Sequence, residues 1–107
     1  MARAYKNAKV DLTDTAATAL YTCPTATVAI VTSIIVSEDS GNADTITATL
    51  TNAAAAIFSL FKVKAVSANT TVELLTRPLV VEESEILKVT AATGGRLHVV
   101  ASLLELS

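Results

Sequence analysis

The 107-residue sequence contains few of the side chains from which active sites are built: one histidine, one cysteine and no tryptophan. A catalytic thiol pair would have to join Cys23 to His98, and nothing in the sequence around either residue positions it. A zinc site needs about four converging ligands, which the chain cannot supply in a usual set. The three glycines match no phosphate- or dinucleotide-binding motif and fit turns instead. We therefore expect no catalytic residue, no cofactor and no bound metal.

The cysteine count and the charge balance limit the compartment and the partners. A single cysteine cannot form an intrachain disulfide. The first residues lack the apolar region of a signal peptide, and no run reaches the ~20 unbroken apolar residues of a membrane span. A net charge of −2 argues against a dedicated nucleic-acid binder. These features predict synthesis in a cytoplasm, no membrane association and no specific nucleic-acid partner.

Two groups of acidic residues raise the question of a cation site or of acid–base chemistry. The first group surrounds a turn and consists of Glu38, Asp39 and Asp44. Oxygen ligands at short spacing suit calcium, but the spacing fits no EF-hand and the same residue types are ordinary in turns. The second group precedes a predicted strand and consists of Glu82, Glu83 and Glu85. It is interpreted as a solvated edge that opposes aggregation.

The composition is apolar and poor in charge. Hydrophobic residues make up 51% of the chain and charged residues 17%, while aromatic residues make up only 4%. The mean hydropathy is +0.54. Since no membrane span accounts for this excess, we expect partner chains to cover part of the apolar surface. The prediction is a homo-oligomer, with a trimer favoured.

Strand-like segments alternate with turn-like breaks about every ten residues, which is typical of a β-sandwich or barrel. Residues 44–51 alternate most clearly, with threonines on one face and aliphatic side chains on the other. Residues 27–37 are apolar on both faces, which indicates a buried central strand. The predicted strands are residues 4–12, 16–22, 27–37, 44–51, 57–66, 71–75, 85–91 and 96–106. The predicted fold class is an all-β antiparallel β-sandwich, jelly-roll or immunoglobulin-like, with seven to eight strands and little or no helix.

Two predictions concern particular strands. Residues 85–91 and 96–106 flank Gly94-Gly95, and this pattern predicts a hairpin because glycines accept the positive φ of tight hairpin turns. In residues 57–66 the alternation places three side chains on one face: Phe61, Val63 and Ala65. The two lysines between them then lie on the opposite face.

Several segments carry motifs that occur together in one protein family. Residues 20–25 (LYTCPT) lead into residues 29–36 (AIVTSIIV), which is similar to the family's LYT-x-P step before a long apolar strand. Residues 78–91 are similar to its P-L-x-L-E-x-G-D-x-I-x-V-x-A segment, with Ser84-Glu85 where the family has Gly-Asp. Residues 97–106 resemble its closing L-x-V-x-x-S-x-x-E strand. The chain thus resembles small virion structural proteins of tailed bacteriophages.

The resemblance implies a β-sandwich that decorates a capsid or forms an accessory part of a tail, without a cofactor or catalytic residues. We expect a non-enzymatic capsid decoration (cement) subunit, located in the virion and made in the cytoplasm of a bacterial host. Its expected partners are the major capsid protein or other virion proteins. The alternatives are a tail, neck or baseplate component and, from another class, a carbohydrate- or receptor-binding module.

The first residues are basic and supply the candidate contact residues. Residues 1–12 are interpreted as an N-terminal arm or first strand, and residues 13–107 as a single β-sandwich domain. The candidate partner-binding residues are Arg3, Tyr5, Lys6 and Lys9. Such a segment could add a strand to an exposed sheet edge of a partner.

Overall fold

The computed structural model describes residues 2–107, which form nine β-strands and no helix. The strands are β1 (Arg3–Leu12), β2 (Thr18–Thr22), β3 (Val28–Glu38), β4 (Asp44–Thr51), β5 (Ile57–Val66), β6 (Thr71–Glu73), β7 (Leu79–Val81), β8 (Ile86–Ala91) and β9 (Leu97–Leu106). The predicted all-β class is confirmed. The count exceeds the expected seven to eight because a short strand, β7, follows the bend at Pro78. No helical segment with the length and hydropathy of a membrane span occurs among residues 2–107.

The strands form two antiparallel sheets that pack face to face. The five-stranded sheet has the order β1-β9-β3-β6, with β7 also paired to β3, and the four-stranded sheet has the order β2-β8-β4-β5. The first and last strands are neighbours, and the chain crosses between the sheets at every connection except β4–β5 and β6–β7. This order is that of a jelly roll. It settles the choice between the two topologies that periodicity alone leaves open.

The core is built from the inward side of each strand, as the period-two pattern requires. In β9, Leu97, Val99, Ala101 and Leu103 are buried and alternate with residues that face outward. The largest fully buried side chains are aliphatic, among them Leu12, Ile34, Ile46 and Leu87. Each such side chain contributes roughly 1.5–3 kcal/mol relative to exposure. Many small and medium side chains thus replace the large aromatic anchors that the sequence lacks.

The predicted hairpin at Gly94-Gly95 is wrong. Strand β8 pairs with β2 and β4 in one sheet, whereas β9 pairs with β1 and β3 in the other. Of these two glycines, only Gly95 has a positive φ, of 80°. Gly94 is instead required by a close approach, because a Cβ at this position would lie 2.4 Å from the carbonyl oxygen of Thr13. The two glycines therefore mark a crossover between sheets, pressed against the β1–β2 loop.

The predicted faces of β5 are also wrong. Buried Ile46 and Ala48 lie two residues apart on the same face of β4. Their partners on β5, Lys64 and Phe61, are three residues apart, where a regular ladder would place them two apart. The register shifts here, and Val63 has a φ of 53°. The resulting bulge reverses the alternation between Phe61 and Ala65. Most of β5 is exposed, and it lies at the edge of its sheet because it pairs with β4 alone.

A buried carboxylate organises the loops at one end of the sandwich. Glu38, at the end of β3, is 1% exposed. Its carboxylate accepts backbone N–H bonds from Ser40 at 2.8 Å and from Gly41, Asn42 and Asn69 at 3.1 Å each, and also bonds the Ser40 hydroxyl. Burial alone would raise the pKa of Glu38, but these hydrogen bonds outweigh it and lower the pKa from 4.5 to about 2.

Stability is therefore expected to fall in acid through Glu38. A carboxyl with a lowered folded-state pKa contributes stability above pH 4.5, and this contribution disappears as the pH falls from 4.5 to about 2. The variant Glu38→Gln is expected to unfold at a lower urea concentration than the wild type at pH 7, with the difference closing by pH 2. Urea midpoints of both proteins between pH 7 and 2 measure this. A difference that stays constant with pH would contradict the assignment.

Candidate docking surface

The two residues best suited to nucleophilic chemistry lie at opposite ends of the sandwich. His98 pairs with Asp11 near the β8–β9 crossover, and its half-exposed imidazole has Nε2 3.3 Å from Asp11 Oδ1 and Nδ1 3.6 Å from Asp39 Oδ2. Cys23 follows β2 at the other end, where its Sγ bonds the carbonyl oxygen of Thr27 at 3.3 Å. Cys23 is buried, as expected, and burial raises the pKa of its thiol. The fold thus does not bring the two side chains together.

The acidic groups are used in hydrogen bonds within the protein. The Glu38 carboxylate is surrounded by N–H donors, as described above. Glu83 accepts the N–H of Ala26 at 2.7 Å, and Glu85 accepts the N–H of Glu82 at 2.8 Å. Within residues 2–107, no group of three or more His, Cys, Asp or Glu side chains is placed to hold a metal ion. These carboxylates fix loops.

A row of apolar side chains crosses the outer face of the five-stranded sheet. The register places one residue from each of four neighbouring strands side by side: Tyr5, Leu104, Ile30 and Val80. We call these four residues the apolar row. Tyr5 is 84% exposed and Val80 53% exposed, and the other two are half-buried. Together with Ser102, three of the four line a groove of about 490 Å³. An uncovered apolar strip of this kind is a candidate interaction surface.

The apolar row lies toward one end of the outer face. Next to it, toward the chain termini, Leu106 pairs with Val28, so the apolar surface continues to what we call the terminal end. The opposite end of the same face is polar, because there His98 pairs with both Asp11 and Ser37. The outer face therefore runs from the apolar row at one end to these polar residues at the other.

The terminal end carries a second exposed apolar element, the loop between β4 and β5. Its alanines are exposed, and Ile57 and Phe58 follow them at 66% and 54% exposure. The loop is ordered by Asn52, whose side-chain oxygen accepts N–H bonds from Ala54 at 3.0 Å and Ala56 at 2.9 Å. Because these bonds fix its shape, the loop needs little further ordering on binding.

The structure places the four candidate contact residues on two sides of one strand. Arg3, Tyr5 and Lys9 lie on the outer face of β1, where they are exposed. Lys6 lies on the other side, where its Nζ is 2.9 Å from Glu105 Oε1. Residues 3–12 pair with β9 along their whole length, so this segment is the edge strand of its own sheet.

Lys6 belongs to a polar link between the two sheets that is centred on a buried carboxylate. Glu105, on β9, is 8% exposed, and its Oε2 accepts a hydrogen bond of 2.5 Å from the hydroxyl of Tyr21 on β2. The hydrogen bonds from Tyr21 and Lys6 outweigh burial and lower the pKa of Glu105. Burial, followed by the bond to Glu105, raises the pKa of Tyr21 well above its ordinary value. The link therefore joins a carboxylate to a neutral phenol at neutral pH.

Three members of the apolar row were missed in the sequence: Ile30, Val80 and Leu104. The prediction of β3 as a central strand is correct, since it pairs with β9 on one side and with β6 and β7 on the other. Only one of its faces enters the core, however, and Ile30 belongs to the other face. The signal was present, because a strand that is apolar on both faces in a two-layer sandwich must direct one apolar face away from the core.

The fold and this surface define a class, a single jelly-roll β-sandwich with an uncovered apolar strip. No family model and no curated protein matches the chain, so the resemblance to phage virion proteins stays a prediction from sequence. Among solved structures, a chain in the structure of infectious bursal disease virus (Gt strain) is similar, with a TM-score of 0.43 and 8% identity. The similarity covers 98% of the present chain and 30% of that chain.

Proposed function

We propose that this chain is a non-enzymatic structural subunit of a bacteriophage virion, which decorates the assembled capsid and binds its major capsid protein through the outer face of the five-stranded sheet. The observation that carries the proposal is the apolar row. Positions on a sheet face exposed to water are usually occupied by polar side chains. Tyr5, Ile30 and Leu104 occupy such positions. Their apolar character is accounted for if another protein covers them.

The size of the face supports a protein partner. Four strands abreast at ~4.8 Å and ten residues of ~3.4 Å each give about 650 Å². A standard protein interface buries about 800 Å² on each partner. The outer face, extended by the exposed β4–β5 loop at the same end, approaches this size. A subunit that binds only the assembled shell stabilises that shell by mass action.

The polar groups support a role without catalysis. Cys23 is buried as a thiol, and His98 lies at the other end of the sandwich. The buried carboxylates Glu38 and Glu105 are held by hydrogen-bond donors of the protein itself. The buried groups among these have a structural use in the fold, and the surface proposed for the partner is the apolar row.

Binding to shells that lack the protein tests the proposal. Particles made from a viral genome with this gene deleted are mixed with the purified chain and sedimented. The variants Leu104→Glu and Val80→Glu place a charge in the apolar row and are expected to weaken binding at least tenfold, about 1.4 kcal/mol. Thr49→Glu, on the outer face of the four-stranded sheet, is the matched control and should bind as the wild type does.

The same experiment separates the proposal from its nearest alternative. Binding at the capsid surface that is lost only in the two apolar-row variants supports decoration. Binding at the tail, seen by electron microscopy of the sedimented particles, would replace the capsid role by a tail, neck or baseplate role. Equal binding of Leu104→Glu, Val80→Glu and Thr49→Glu would reject the apolar row as the docking surface.

A further inference from the structure

The four sheet edges of the sandwich differ in how well they are protected against pairing. In residues 2–107, β6 and β7 have three residues each, and β2 has five residues with a register shift. β5 is interrupted by register shifts and by the left-handed Val63. Short strands and bulges are the usual means of blocking edge-to-edge contact. Only β1 offers a long edge, ten residues paired to β9 without a shift in register.

The hydrogen-bonding groups on the open side of β1 can be identified. Ala2 and Ser107 exchange both backbone bonds, at 2.7 and 2.9 Å. Because bonded and non-bonded pairs alternate in an antiparallel ladder, the even-numbered residues of β1 bond to β9. The N–H and C=O groups of the odd-numbered residues point to the open edge: Arg3, Tyr5, Asn7, Lys9 and Asp11.

We propose that a second copy of this chain pairs with β1 in an antiparallel two-fold arrangement centred on Asn7, which joins the two five-stranded sheets into one. In this register Asn7 faces Asn7 of the other copy, Tyr5 faces Lys9, and Arg3 faces Asp11. All bonded pairs join odd-numbered residues, as the open edge requires. The proposal does not depend on the virion role.

The charges on β1 favour this register over its neighbours. With Asn7 at the centre, each Arg3 lies opposite an Asp11, and each Lys9 lies beside a Tyr5 ring, so every cation has a favourable partner. A centre on Lys6 would bring Arg3 opposite Lys9. A centre on Ala8 would place Asp11 opposite Tyr5 and leave Arg3 beyond the end of the paired strand, without an acidic partner. Like charges directly opposite are unfavourable.

The inward side of β1 is compatible with the pairing. Lys6 is the one charged side chain on that side, and its ammonium is already held by Glu105 at 2.9 Å. Asp11 contacts His98 through Oδ1, which leaves its second oxygen for Arg3 of the other copy. The pairing is two-fold and therefore predicts a dimer, in place of the trimer favoured from the sequence.

Charge exchange tests the register. The variants Arg3→Asp and Asp11→Arg each put like charges opposite one another in a homodimer, and each is expected to be monomeric. When the two variants are mixed, the aspartate introduced at position 3 faces the arginine introduced at position 11, and the native Asp11 of the first variant faces the native Arg3 of the second. A heterodimer should therefore form. Sedimentation equilibrium of each variant alone and of the mixture measures this, against wild type at twice the chain mass of 11.1 kDa.

A backbone variant tests the edge itself. Asn7→Pro removes an N–H that points to the open side, so the monomer should stay folded by circular dichroism while the dimer is lost. Two results for the wild type would overturn the proposal: a monomer that persists at ~1 mM, 100-fold above a working concentration of ~10 μM, or a trimer. So would a dimer that persists in Arg3→Asp, or a mixture of the two charge variants that stays monomeric.

Discussion

Replacement of Gly94 by alanine is expected to lower the free energy of unfolding by about 3 kcal/mol, at the upper end of the range for overpacked sites. The new Cβ would lie 2.4 Å from the carbonyl oxygen of Thr13 and 3.0 Å from Cα of Asp14. These are backbone atoms of the β1–β2 loop, which cannot turn aside as a side chain can. Either that loop or the β8–β9 crossover must move, and both connect the two sheets.

Gly95→Ala is the matched control for this prediction. Gly95 has a φ of 80°, and a Cβ added there would have no atom within 4 Å. Alanine there meets only the cost of a left-handed conformation, about 1 kcal/mol. Urea unfolding followed by circular dichroism gives the free energies of unfolding of both variants. In thermal unfolding, the Gly94 variant should melt about 15 °C below wild type. Equal losses at the two positions would contradict the close approach.

Removal of the Glu105 side chain is expected to cost about 3 kcal/mol as well. The Lys6 side chain is 53% exposed and can return to water, so its ion pair with Glu105 contributes no more than about 1 kcal/mol. The larger part of the loss is the hydrogen bond from Tyr21 to the charged carboxylate, about 1.5–3 kcal/mol. The Tyr21 hydroxyl, which lies between the sheets, also loses its acceptor in Glu105→Ala. The variant therefore loses a side-chain hydrogen bond that joins β2 in one sheet to β9 in the other.

Two milder variants separate the contributions within this link. Tyr21→Phe removes a hydrogen bond to a charged group and should cost about 1.5–3 kcal/mol. Glu105→Gln keeps an acceptor for Tyr21 but removes the charge that faces Lys6. Free energies of unfolding for Glu105→Ala, Tyr21→Phe and the double variant form a cycle. Because Tyr21 and Glu105 contact each other, the losses should be non-additive, and additive losses would show that the 2.5 Å bond contributes nothing.

The strands were predictable from the sequence, but their partners were not. The alternation in residues 44–51 predicted β4 with its observed limits, and the β-branched segment at residues 27–37 predicted β3 within one residue at each end. Alternation reports which face a side chain occupies and carries no record of the neighbouring strand. The segments on either side of Gly94 consequently looked like a hairpin although they belong to different sheets.

The candidate surface was only partly predictable for a related reason. Tyr5 was one of the four candidate contact residues named from the basic first segment, and it is the most exposed large side chain of the apolar row. Ile30 and Leu104 look like core residues in the sequence. The apolar pattern of β3 implies that one apolar face points outward, but the register is needed to show that Ile30 lies on that face, beside Leu104 and Tyr5. The bulge at Val63 was not predictable from the sequence, because a valine gives no signal for a left-handed conformation.

The capsid-decoration role is tested most directly by a cryo-electron microscopy map of particles produced from the genome that encodes this chain. We expect a jelly-roll density on the outer surface of the capsid, with the outer face of the five-stranded sheet turned toward the major capsid protein and the apolar row covered. Particles that lack the chain would contradict the virion role. A subunit bound with Leu104 and Val80 open to solvent would contradict the assigned docking surface.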